Sequence, residues 1–393
     1  MRPEDLLRFR TIGDVALSPD GSRVAFTVSA IDPVADDYRT RIWAGRIGEE
    51  PRELTSGPKK DAAPRFSPDG KWLAFLSDRD HEKPQLYVMP ASGGDARRLT
   101  DLPLGAMPAS WSPDSSRLLF AARVPNASMP TEPEAKKRWE QRVRHVTRAQ
   151  YKADGQGYTF DARSHLFVAD VASAAVRQLT DGDADERAEA WSPDRRRIAF
   201  VRNRTGKTDY NQSDLFVANA DGSNLKQLTH DVGRPTSPTW SPDGKTIAFY
   251  ALDEPMATLG DPMVRTWVVS ADGGAARCVT KDFDHHVTLL PPPTTTPGPS
   301  WSADGATLTA CYAVRGDVHV VRARVADGKT ETLGGGERQV TYLTSAGGRL
   351  AYAAGDPRDP AELFTSDVDG KGEQRLTHLN DALVAELAAP IPV

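Results

Sequence analysis

The chain has little of what marks several large protein classes. It holds 2 cysteines in 393 residues, too few for a disulfide framework. Both stand in apolar, strand-like settings, Arg277-Cys278-Val279 and Ala310-Cys311-Tyr312, so they are expected to be small buried side chains without chemistry. There is no excess of positive charge: 49 Lys and Arg against 54 Asp and Glu leave −5 at pH 7, which excludes nucleic-acid binding by general phosphate neutralisation. No apolar run approaches the ~20 residues of a membrane span. The opening, Met1-Arg2-Pro3-Glu4-Asp5-Leu6-Leu7, puts acids where a signal peptide carries its apolar core. A cytoplasmic address follows as the expectation, with neither membrane nor nucleic acid as partner.

What the chain does hold is punctuation. Its 31 glycines and 30 prolines are spread along the sequence, the mark of many turns joining short elements. Ser-Pro-Asp-Gly or a close variant occurs at Ser18–Gly21, Ser67–Gly70, Ser112–Ser115, Ser192–Arg195, Ser241–Gly244 and Ser302–Gly305, with a worn copy at Ser345–Gly348. An apolar run follows each, such as Val24-Ala25-Phe26 or Ile198-Ala199-Phe200. Pro presets φ in the turn, Asp bonds back to the backbone and Gly takes the positive φ that ends it, so each copy predicts a hairpin. A second strand pair follows in each repeat and closes on Leu-Thr, as at Leu99-Thr100 and Leu228-Thr229. The starts are 49, 45, 80, 49, 61 and 43 residues apart. Four strands per repeat, one of them apolar on both faces, predict a unit that must stack against neighbours around an axis. The expected fold is all-β: a seven-bladed β-propeller of four-stranded antiparallel blades over 1–378. The first blade takes every strand from the N-terminal end and the last from the C-terminal end, so no strand laces them and face packing alone would close the ring.

The longest spacing contains an insertion at about 124–164. Glu132–Tyr151 reads as a helix with Trp139, Val143 and Val146 on an apolar face and Lys136, Lys137, Arg138, Arg142, Arg144 and Arg148 on the other. That basic face is either a solvated surface or a cationic segment that holds a peptide carboxylate at the axial mouth. Further departures at 253–263 and 281–299, the latter with Pro291-Pro292-Pro293-Thr294-Thr295-Thr296, read as loops.

Chemistry is sparse. Gly-x-Ser-x-Gly is absent; Gly298-Pro299-Ser300-Trp301-Ser302 aligns with Ser237-Pro238-Thr239-Trp240-Ser241 and is a strand entering its turn. His285-His286 lacks companion ligands, and Gly334-Gly335-Gly336 precedes no helix, so neither a metal nor a phosphate-bearing cofactor is expected. The recurrent Asp20, Asp69, Asp114, Asp194, Asp243 and Asp304 share one turn slot and belong to folding.

The opening Pro3-Glu4-Asp5-Leu6-Leu7, the Ser-Pro-Asp-Gly and Leu-Thr signatures and the segment Tyr151-Lys152-Ala153-Asp154-Gly155-Gln156-Gly157-Tyr158 resemble the propeller of prolyl-oligopeptidase-family serine peptidases, closest to the acylaminoacyl-peptidase branch. The resemblance implies a non-catalytic, substrate-gating domain that works on peptides with an α/β-hydrolase domain or subunit carrying a Ser/Asp/His triad, none of which maps onto this chain. Residues 379–393 look like the connector into that hydrolase. A fragment, one half of a split gene, or a propeller that has lost its enzyme would each fit. Substrate-binding candidates are Arg144, Arg148, Tyr151, Lys152, Arg202 and Arg204. A face shaped to dock a hydrolase would also favour self-association. The alternative is a stand-alone interaction propeller resembling those of the Tol system.

Overall fold

The structure is a computed structural model that describes all residues except 1, 58, 126–129, 131, 155, 210–211, 231, 255–262, 290–295 and 388–393. Most of the first loop departure, 255–262, and 290–295 of the second, which holds most of the proline-threonine stretch, therefore lie outside the described residues.

Each Ser-Pro-Asp turn closes on itself, which is why the hairpins form where the sequence puts them. The serine hydroxyl donates to the aspartate two residues on, at 2.5–2.6 Å in all six copies. The same oxygen accepts the backbone N–H five residues on at 2.9 Å, from Arg23 through Thr307. The fourth residue is left-handed whether Gly21 (φ 68°), Ser115 (φ 62°) or Arg195 (φ 66°). The worn copy differs: Gly347 (φ 55°) and Gly348 (φ 76°) make a two-residue reversal between Ala346 and Arg349, without the Ser–Asp bond. The Leu-Thr signature has an equally local cause, since its threonine hydroxyl accepts the N–H that opens the unit's third strand, as Thr100 does from Leu86 and Thr229 from Leu215, both at 2.9 Å.

These hairpins assemble into five four-stranded antiparallel sheets and one eight-stranded sheet. The latter is two four-stranded units joined by a single parallel bridge, Val318 to Gln339. In chain order the units begin with strands Arg10–Leu17, Asp61–Phe66, Ser110–Trp111, Glu186–Trp191, Gly233–Trp240, Ser300–Trp301 and Gln339–Ala346. First strands of neighbouring units touch from the first unit to the sixth, Gln339–Ala346 of the seventh packs on the sixth unit's second and third strands and returns to Arg10–Leu17, so the units form a ring with their first strands innermost. The second strands are buried on both faces: Val24-Ala25-Phe26, Ile198-Ala199-Phe200 and Ile247-Ala248-Phe249 are fully covered. Their side chains meet the next unit, as Leu119, Ala121 and Val168 meet Ile198 and Phe200. Burial of each such large side chain contributes about 1.5–3 kcal/mol. Tryptophans ahead of four of the turns fasten neighbouring units, the indole N–H of Trp111 donating to Arg65 O at 2.9 Å and that of Trp240 to Ala190 O at 3.2 Å.

Among the described residues no strand crosses between the first and last units. Face packing does not act alone at that seam. The side chain of Asn380, 1% exposed, accepts Arg10 N–H and donates to Arg10 O, both at 2.9 Å, and Arg8 grips Glu386 with both guanidinium nitrogens.

The insertion departs further from expectation. Its helix covers only Pro133–Glu140, and Val143 is 99% exposed rather than part of an apolar face. The cause is local competition: the guanidiniums of Arg142 and Arg144 donate to Trp139 O and Glu140 O, both at 2.6 Å, where the next turn's N–H groups would bond. The Arg142 guanidinium covers the Trp139 ring at 3.4 Å from its centroid.

Candidate functional site at the insertion-bearing mouth

Alternating strand direction sorts the connections between the two ends of the ring. At the end with the Ser-Pro-Asp turns, none exceeds six residues. The long connections, from Arg98 to Ser110, Pro125 to Ala162, Asn203 to Ser213, Leu252 to Val264 and Cys278 to Ser300, all start and finish at the other end, where both terminal segments also lie. That mouth is the candidate site, and its charge is concentrated between the third and fourth units.

The six residues nominated from sequence divide there. Arg148 and Arg204 line one cleft of about 330 Å³ together with Arg163, Asp183, Asp185 and Asn203. Arg148 is paired with Asp183. Arg204 grips Asp214 at 2.7 and 3.0 Å and donates to His230 O. Arg144 turns to Asp161 at 2.9 Å and lies over the Tyr158 ring at 4.0 Å. Arg202 faces Glu186 at 3.4 Å. Tyr151 and Lys152 are exposed, with Lys152 Nζ 5.7 Å from the Tyr158 ring. Each of these four arginines already holds a carboxylate.

A Ser, a His and a Glu do come together at this end. His165 Nδ1 lies 2.8 Å from Glu186 Oε2, both side chains buried, but the Ser164 hydroxyl donates to Glu186 O rather than to the imidazole. The same carboxylate takes the Thr180 hydroxyl at 3.1 Å, so the group braces the third unit against the fourth. Among the described residues no serine hydroxyl bonds a histidine ring. Cys278 and Cys311 are half-buried rather than fully buried, and burial pushes the Cys311 thiol up to about 12, which keeps it protonated and unreactive.

Other charged residues escaped the sequence reading. Arg187 and Glu189 lie on the innermost strand of the fourth unit, flanking the left-handed Ala188 (φ 55°) where the strand slips out of register. The other five units with the Ser-Asp turn carry Gly13, Ala62, Met107, Thr236 and Pro297 in the slot of Arg187, and Val15, Pro64, Ala109, Pro238 and Pro299 in that of Glu189. Slot-by-slot comparison of the repeats would have singled both out.

Residues 11–141 and 158–385 match the family described as the TolB beta propeller domain. The chain belongs to that family. The propeller is 34% identical over 209 residues to the uncharacterized peptidase YuxL of Bacillus subtilis, a match covering 52% of this chain and 32% of YuxL. Its fold resembles the acylaminoacyl peptidase of Pyrococcus horikoshii, with TM-score 0.74 and 17% identity over 98% of this chain and 55% of that one. It also resembles the propeller domain of the Trilobed protease of Pyrococcus furiosus, described as having an open velcro topology, with TM-score 0.65 and 17% identity over 96% and 99% of the two chains. The propeller thus spans about a third of the curated relative and about half of the acylaminoacyl peptidase. No helix among its described residues is long and apolar enough to cross a membrane.

Proposed function

We propose that the propeller is the non-catalytic, substrate-gating part of an acylaminoacyl-peptidase-type serine peptidase of the cytoplasm, acting on peptides when an α/β-hydrolase domain or subunit covers the insertion-bearing mouth. The observation that carries this reading is the sorting of the two ends: tight turns close one, while every long connection and both terminal segments gather at the other. A polypeptide continuing past the helix Asp381–Glu386 emerges beside that mouth, and YuxL, which is similar in sequence, and the acylaminoacyl peptidase, which is similar in fold, are peptidases. The hydrolase would supply the activated serine, and the ring would restrict access to it. The side-chain candidates at this mouth are Arg144, Arg148, Tyr151, Lys152, Arg202 and Arg204, of which Arg148 and Arg204 share a cleft.

The test uses the purified 393-residue chain on acetyl-alanyl and alanyl p-nitroanilides, alone and after mixing with an α/β-hydrolase domain from a peptidase of the YuxL type. The expected outcome is no turnover alone, and a complex by sedimentation that cleaves short peptides but not folded proteins. Turnover by the chain alone, abolished by a serine-directed inhibitor, would overturn the non-catalytic assignment. Absence of any complex would overturn the docking.

A further inference from the structure

The arginines named so far are neutralised; a neighbouring set is not. Arg187 lies half-buried on the innermost strand of the fourth unit, and among the described residues its guanidinium bonds only the neutral side-chain oxygen of Asn203. Arg123, half-buried at the end of the third unit's second strand, donates only to Gln156 O, at 3.1 Å. Arg234 is exposed on the innermost strand of the fifth unit, which packs against the strand of Arg187, and its charge acts on Arg187 as a like charge. Among the described residues none of these three makes an ion pair. Asp185 is a carboxylate whose charge acts on both Arg187 and Arg123. It is already committed, to Ser164 N–H at 2.8 Å and to Arg163 at 3.2 Å. Asp183 is likewise held between Arg148 and Arg163.

A guanidinium partly withdrawn from water without a counter-ion is costly, and a like charge beside it adds to that cost. Such an arrangement persists where an anion completes it, and a planar carboxylate matches the fork of an arginine with two parallel bonds. We infer that Arg187, with Arg123 and Arg234, forms a carboxylate subsite at the insertion-bearing mouth that holds a peptide by a free carboxylate. Burial lowers the proton affinity of Arg187 and Arg123, in keeping with cations that lack a partner. The subsite rests on the peptide-gating reading for the identity of its ligand, but it is tested without any hydrolase.

Fluorescein-labelled Gly-Gly-Phe and its C-terminal amide are titrated into the purified chain and followed by anisotropy. The free acid is expected to bind at least tenfold more tightly than the amide. Arg187→Met should abolish that preference, and Arg123→Gln should weaken it. A labelled Gly-Glu-Phe amide separates the two sources of carboxylate: recovery of tight binding assigns an acidic side chain, no recovery assigns the chain terminus, and both support the subsite. Arg187→Met should melt no lower than the parent, because it removes an uncompensated charge. A structural role instead predicts a lower melting temperature with the preference intact. Equal binding of acid and amide, binding of neither, or an unchanged preference in Arg187→Met overturns the inference. None of these results bears on whether a hydrolase docks.

Discussion

Glu189 stands between Ala188 and Ala190 where the fourth unit's inner strand breaks register, and burial pushes its carboxyl from an ordinary 4.5 up to about 8 against the backbone hydrogen bonds at Glu189 and Ala121. A folded value above the unfolded one means that the neutral acid stabilises the fold. That contribution is complete below about 4.5 and is lost as pH rises through about 8. Asp20 has the opposite sign. The Ser18 hydroxyl, then the Ser22 backbone and hydroxyl, hold its carboxyl down at about 2, so its contribution is present above 3.8 and lost as pH falls through about 2. Glu189→Gln is therefore expected to leave stability near pH 4 unchanged and to raise the melting temperature at pH 8 by several degrees. Melting curves from pH 4 to 9 check this. A parent whose melting temperature falls no faster than that of the variant over this range would refute the buried-acid account.

The hairpin turns explain how much of the fold was legible in the sequence. A Ser–Asp bond spans two residues and the return bond to the serine oxygen spans five, so tertiary context has little power to override them. Ser192→Ala removes the hydroxyl bond to Asp194 and leaves the Arg197 N–H without its acceptor, a loss of about 1–2 kcal/mol, and Ser241→Ala should cost about the same. Ser345→Ala should cost less than about 0.5 kcal/mol, because the two-glycine reversal beside it needs no hydroxyl. Urea midpoints at constant slope measure all three. Similar losses at Ser345 and Ser192 would show that the serine acts through something other than this turn. The insertion was illegible for the converse reason. Its helix ends where Arg142 and Arg144 take up carbonyls, and those side chains are oriented by Asp161, 19 and 17 residues away. Arg187 and Glu189 were hidden differently: periodicity drew attention to what the units share, and these residues are where one unit departs.

At the scale of the whole ring, the seam between the first and last units holds without a connecting segment of chain among the described residues, and its parts differ in strength. The apolar share joins Ile12, Val15, Leu17 and Phe26 to Ala351, Ala353 and Leu363. Beside it the turns of the two units nearly touch: a Cβ added at Gly347 would lie 2.2 Å from the Asp20 carbonyl carbon, and its φ of 55° already disfavours any other residue. Asn380 satisfies both polar groups of Arg10 from a buried position, whereas the Arg8–Glu386 pair is exposed and worth about 0–1 kcal/mol, screened by salt. Asn380→Ala should therefore cost about 2–4 kcal/mol by orphaning two backbone groups, and Gly347→Val at least as much by forcing the turns apart. Arg8→Ala should cost less than about 1 kcal/mol, vanishing in 1 M salt. Because four of the other junctions keep their tryptophan bonds and the remaining two their apolar clusters, the damage should stay local. Hydrogen exchange is expected to accelerate first in Arg10–Leu17 and Gln339–Gly355 while Ile198–Phe200 and Ile247–Phe249 remain protected. Exchange that rises uniformly around the ring, or an Arg8→Ala variant as damaged as Asn380→Ala, would mean that the seam is no weaker than any other junction and that the termini do not clasp it.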